Sequence, residues 1–179
     1  MGLDIIAHAR LTKIEGVKYL EGEVYNHALE VVEYDTYDFV ARLNPDFPGR
    51  ADDIEDRGVY SSGDSFGFGA GAYSGYNRWR ERLAELAGYP QAPIETYGRV
   101  EHRHDAGAWT VADGPFWELI NFSDCEGVIG TAVSKKLAAD FAAFDAAAQA
   151  VDDPTFYPRY QNWRKAFEMA ADAGAVDFH

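Results

Sequence analysis

Phe156, Tyr160, Trp163, Phe167 and Ala170 recur at intervals of four, three, four and three. That rhythm draws one apolar stripe down the side of a helix. A stripe with four aromatic rings has to be covered, and the cover must come from elsewhere in the chain. Two further stretches make the same demand. Tyr76, Trp79, Leu83 and Leu86 form one stripe, with Ser74 as its N-cap and Gly88 then Pro90 as its stop. Residues 132–150 put Val133, Leu137, Phe141, Phe144 and Ala148 inward, and their alanine content favours helix independently of the pattern. The last helix opens at Asp153 and Pro154. Pro158 would clash with the carbonyl four residues back, so the spacing predicts one turn and a restart near Pro158. Gly174 closes that helix, and "AVDFH" returns as a strand.

The cover for these stripes is β-structure. In residues 3–12, Leu3, Ile5, Ala7, Ala9 and Leu11 share one face of a strand, while Asp4, Ile6, His8 and Arg10 share the other. Residues 24–43 are rich in β-branched and aromatic side chains and read as two strands with a turn near Asp35 and Thr36. Residues 44–58 read as a loop, with two prolines and the acidic group Asp52, Asp53, Glu55 and Asp56. Residues 91–114 hold one or two short strands around Asp105 and Gly107. The expectation is an α+β fold in a single domain, residues 1–179: a mostly antiparallel sheet with about three helices packed against it.

Charge and cysteine usage narrow the function classes. The chain carries 30 acidic and 16 basic residues, a net charge of −14. It repels phosphate backbones, and the only arginine cluster, Arg78, Arg80 and Arg82, is interleaved with Glu81 and followed by Glu85, so no direct nucleic-acid contact is expected. The acidic side chains concentrate between residues 15 and 64, a surface suited to a basic protein partner, as an inhibitor or DNA mimic would use. The group from Asp52 to Asp56 lacks the ligand order of a calcium loop and reads as solvated. Cys125 is the single cysteine, which leaves no internal disulfide and fits a reducing, cytoplasmic setting. The N-terminal stretch has no leader pattern and no run is long enough to span a membrane, so no membrane role is expected.

Three places invite chemistry. "GFGAGAYSG" sets Gly67, Gly69 and Gly71 before Ser74 and Tyr76 at a helix start; glycines let backbone N–H groups approach a ligand, and a helix start favours an anion. The spacing is neither a phosphate-binding Walker loop nor a clean dinucleotide fingerprint, and no cofactor is implied. The second place is "NFSDCEG", where Asn121, Ser123, Asp124 and Glu126 are candidate ligand contacts. Asp124 with Glu126, or Cys125 with a distant histidine, would instead serve a hydrolase, though the acidic neighbours disfavour the thiolate. The third is "EHRHD": on a strand, His102 and His104 share a face with Asp105 beside them, a weak metal candidate without a recognised ligand spacing.

The opening "MGLDI", the segment "FWELINFSDCEG" leading to "IG" and a "KKLAADF" helix, and the ending "GAVDFH" together resemble a group of small uncharacterised proteins from bacteria and their phages. The resemblance covers most of the chain. It implies a cytosolic, single-domain protein and carries over no activity. A phage association implies either a sponge for small signalling nucleotides or an acidic inhibitor of a host protein. The leading expectation is a protein that binds a small polar or nucleotide-like ligand between the glycine stretch and "NFSDCEG".

Overall fold

The computed structural model describes residues 2–96 and 98–179. Among these, four antiparallel strands form the main sheet: β1 (Leu3–Ala9), β7 (Asp64–Gly71), β10 (Gly127–Ile129) and β11 (Ala175–Phe178), in the order β10-β11-β1-β7. The C-terminal strand therefore sits inside the sheet, between β10 and β1. Three smaller β-units complete the structure. β2 (Thr12–Lys13), β6 (Val59–Ser61) and β5 (Phe39–Val40) form one. The hairpin β3 (Val17–Leu20) with β4 (Glu23–Asn26) forms the second, and β8 (Ala92–Thr96) with β9 (Arg99–Arg103) the third. The long helices are α1 (Tyr73–Leu86), α4 (Thr131–Ala143) and α6 (Phe156–Ala170); α2 (His104–Ala108), α3 (Trp117–Ile120) and α5 (Asp145–Gln149) are short. This is the expected α+β architecture, with the three anticipated helices as its long ones.

The pleat gives the main sheet two different faces. On β1, Leu3, Ile5 and Ala7 are fully buried in the larger core together with Val176, Phe178 and Ile129. The helix α6 packs across β1, β7 and β11 on this side, and its whole predicted stripe is buried: Phe156, Tyr160, Trp163, Phe167 and Ala170. The opposite face is set by register. His179 is doubly hydrogen-bonded to Asp4, which pairs with Gly69; Val128, Asp177, Ile6 and Gly67 form the next row; Ala175, His8 and Ser65 form the third. This outer face is covered on one side by a second core of Phe39, Ala41, Ala51, Ile54 and Tyr60, which packs on Val128 and Ala175.

Several expectations change. The helix α1 starts at Tyr73 with Ala72 as N-cap, and Ser74 lies inside the first turn with no cap bond, because Gly71 at φ 89° already ends the strand. The proline conflict does not arise in α6: Pro158 occupies its first turn, where the carbonyl four residues back, on Pro154, lies outside the helix. The two strands in 24–43 exist as β4 and β5, but β4 pairs with the unforeseen β3 and β5 pairs with β6. A one-turn 3-10 helix at Tyr34–Thr36 fills the expected turn. The strands expected around Asp105 lie earlier, at β8 and β9, and Asp105 itself is helical; Tyr97 lies outside the described residues. The continuous helix 132–150 is broken at Phe144. At the end of α6 the left-handed residue is Ala173, at φ 48°. Gly174 has a different role: a Cβ there would overlap the His8 carbonyl, so its missing side chain lets the chain run close beside β1 as it enters β11.

Asp52, Asp53, Glu55 and Asp56 are all exposed, as expected, and some of them also bond to distant segments. Asp53 Oδ2 accepts the Thr131 N–H at 2.9 Å and so caps α4 from a distant segment. Glu55 pairs with Lys13 at 2.7 Å, and Asp56 Oδ1 accepts the Leu43 N–H at 3.0 Å. Three of the four carboxylates thus hold structure. Asp53→Ala is expected to cost about 1 kcal/mol, the usual worth of an N-terminal cap. Asp52→Ala should stay within about 0.5 kcal/mol. Urea unfolding of both variants checks the difference.

Candidate functional site

The segment after Ile120 is shaped by two neighbours. Arg80, buried on α1, sends Nη1 to the carbonyl oxygens of Ile120, at 3.2 Å, and Phe122, and Nη2 to Asn77 Oδ1; its guanidinium lies over the Tyr76 ring at 4.7 Å. Asn77 in turn donates to Asp124 Oδ2 at 2.9 Å. Ser123 is buried, and its Oγ accepts the amides of Cys125 (3.3 Å) and Glu126 (3.1 Å), which folds residues 123–126 into a tight turn. Gly127 then starts β10. The polar knot is therefore a turn into a short buried strand, with α4 beginning only at Thr131.

Two clefts meet at this turn. The first, about 590 Å³, lies between the turn and residues 42–47; Arg42, Asn44, Phe47, Arg80, Asp124 and Glu126 are among its walls. The second, about 630 Å³, is floored by the outer face of the main sheet at Ile6, His8, Asp177 and His179. Its far wall comes from residues 19–42, including Tyr19, Tyr34, Tyr37, Asp38, Phe39 and Arg42. Arg42, Cys125 and Glu126 line both clefts. Arg42 donates to the Tyr19 hydroxyl at 3.0 Å and makes no ion pair among the described residues.

The floor of the second cleft is electrostatically unusual. His8 is only 3% exposed, its ring stacks on Phe39 at 4.9 Å, and its Nδ1 is sealed from solvent without a hydrogen-bond partner among the described residues. Burial pushes its pKa below the ordinary histidine value; Asp38 pulls the other way, and His179 adds to the lowering. Burial therefore favours the neutral ring. Asp177 is pushed up by burial, partly offset by His179, whose Nδ1 lies 3.1 Å from Asp177 Oδ2, and by Arg42. Asp38 accepts the Ser62 N–H through Oδ2 at 2.7 Å, and its other oxygen has no partner among the described residues.

The sequence candidates are distributed unevenly around this site. Ser123, Asp124 and Glu126 line the first cleft, and Glu126 reaches the second. Ser123 is occupied with backbone amides, and Asp124 with Asn77. Asn121 lines neither cleft; its carbonyl accepts Arg50 Nη2 at 3.1 Å. Gly67 and Gly69 do not form a loop. They lie on β7, an edge strand, because their alternation with Phe66 and Phe68 puts the rings on the core side and leaves the outer face bare. Tyr76 is 1% exposed, Gly71 ends β7 and Ser74 lies in the first turn of α1; none of the three lines either cleft.

His102 and His104 are not a pair. His102 is exposed on β9, whereas His104 begins α2, with Nδ1 2.5 Å from the Tyr89 carbonyl oxygen. Among the described residues, no group of three or more His, Cys, Asp and Glu side chains is arranged to hold a metal ion. No described helix is long and apolar enough to cross a membrane.

Residues that sequence reasoning did not select include Asp38, Arg42, Asp177, Tyr19, Tyr34 and Tyr37. One signal was present: the alternation in residues 3–12 places Asp4, Ile6 and His8 together on the face away from the core, and that face is the cleft floor. No family model, curated protein or solved structure matches the chain.

Proposed function

We propose that the protein binds a small polar or nucleotide-like ligand at the seam between the main sheet and residues 19–47. The observation that carries this reading is the meeting of the two clefts at Arg42 and Glu126. A guanidinium with no ion pair among the described residues, carboxylate oxygens and three tyrosines converge there on concave surface of ligand size. Tyrosines supply flat apolar area with a polar tip, and the charged groups fix orientation. This composition suits retention of a ligand.

The test is a thermal-shift screen with nucleosides, nucleotides, sugars and small amines, on wild-type protein and on Arg42→Ala. At least one ligand is expected to raise the midpoint by several degrees, as binding at about 100 times Kd adds about 2.7 kcal/mol. That rise should fall away in Arg42→Ala. A flat screen, with nothing small released by denaturing freshly purified protein, overturns the proposal.

A further inference from the structure

Resting on that reading, we infer the ligand class: the second cleft takes a nitrogen heterocycle of nucleobase type, as base or nucleoside without a phosphate chain, stacked on its tyrosines and read by Asp38 and His8. Three observations lead there independently.

The first is charge. The second cleft presents Asp38, Glu126 and Asp177 against Arg42; Arg80 lines only the first. Arg80 is already committed to two backbone carbonyls and Asn77. One available guanidinium facing this many carboxylates, on a chain of net charge −14, opposes a di- or triphosphate and accepts a neutral or weakly cationic molecule.

The second is hydrogen-bonding character. Asp38 offers an acceptor oxygen that nothing in the described residues uses, and Glu126 makes no side-chain hydrogen bond there. His8 in its neutral form has one ring nitrogen that donates and one that accepts. Its Nδ1 has no partner among the described residues, and a buried polar atom left without one is costly unless something arrives to satisfy it or to fix the tautomer through the other nitrogen. A wall made of carboxylate oxygens and a neutral imidazole matches a rim of N–H donors and ring nitrogens. A sugar presents hydroxyls to such a wall but no planar aromatic face and no ring nitrogens.

The third is shape. Tyr34 and Tyr37 stand with ring centroids 5.8 Å apart, and Tyr34 is 73% exposed, an aromatic surface left open at the mouth of a cleft. Base-on-aromatic stacking is the sequence-tolerant way proteins hold such rings. Beyond the cleft, Gly67 and Gly69 continue the same sheet face with no side chains, and a Cβ at either would meet nothing closer than 3.6 Å. The floor stays open on that side.

Isothermal titration tests this with adenosine, guanosine, cytidine and uridine, their 5′-triphosphates, and ribose. At least one nucleoside is expected to bind, with its triphosphate at least about tenfold weaker and ribose silent. Asp38→Asn, at an exposed position that keeps its shape, should weaken that nucleoside about tenfold, and Tyr34→Ala at least about fivefold. His8→Gln, read alongside its unfolding midpoint, should act in the same direction. A triphosphate that binds as tightly as its nucleoside, or a nucleoside indifferent to both Asp38→Asn and Tyr34→Ala, overturns the inference. A non-heterocyclic ligand whose binding depends on Arg42 leaves the binding function standing and refutes this ligand class. Absence of any ligand refutes both.

Discussion

Trp163→Ala should cost about 3–5 kcal/mol, the range for emptying a large aromatic site in a packed core. Total stability for a domain is about 5–15 kcal/mol, so this one change removes a large share of it. Trp163 sits where α6, α1 and the main sheet meet. It is 2% exposed, and its ring is surrounded by those of Phe68 (5.1 Å between centroids), Trp79 (5.3 Å), Tyr76 (5.4 Å), Phe178 (5.6 Å) and Phe167 (6.0 Å). These neighbours come from β7, α1, β11 and α6 itself. Rigid rings anchored on four elements cannot collapse together into the space, so the cavity persists and adds to the lost transfer energy. Thermal unfolding should show a midpoint lower by roughly 10 °C, given about 2–4 °C per kcal/mol at this chain length. A fall of under about 3 °C would mean that the aromatic cluster is loosely packed and does not organise the core.

The same residue shows what could be read in advance. The stripe from Phe156 to Ala170 is local information: a 3.6-residue period, written in one segment, tells which side of α6 is buried. The outer face of β1 was legible for the same reason, since a period of two assigns Asp4, Ile6 and His8 to one side. The strand β10 was not legible. Gly127, Val128 and Ile129 are buried on both faces, so no alternation marks them, and three residues are too few to separate a strand from the start of the following helix. The cleft was hidden more deeply. His8 and Asp177 share a row neighbourhood only because β11 inserts beside β1, and Tyr19, Tyr34, Asp38 and Arg42 arrive opposite them from a segment whose strands pair in an order the sequence does not state. Glycine enrichment at 67–71 drew attention to the correct sheet face for a mistaken reason: the absent side chains leave a strand surface bare and do not shape a loop.

Arg80→Met should cost about 3 kcal/mol, and its consequences should be felt at the cleft. The guanidinium is 8% exposed and supplies donors to the carbonyls of Ile120 and Phe122. A hydrogen bond with a charged donor contributes about 1.5–3 kcal/mol, and each buried acceptor left without one costs about 1–3 kcal/mol. Methionine replaces part of the packing but offers no donor, so it isolates the polar contribution. Arg80 also holds Asn77 Oδ1, and Asn77 holds Asp124, so the chain of bonds runs from α1 to the turn that separates the two clefts. Loss of the first link should free residues 120–126 before it unfolds the domain. Hydrogen exchange should report this directly. The amides of Cys125 and Glu126, now bonded to Ser123 Oγ, should exchange about tenfold faster or more in Arg80→Met under conditions where α6 amides keep their protection. Asn77→Ala, which cuts only the second link, should accelerate the same amides with a smaller change in the unfolding midpoint. Equal protection of those amides in wild type and Arg80→Met would show that Ser123 alone shapes the turn. The buried arginine would then serve the core and not the site.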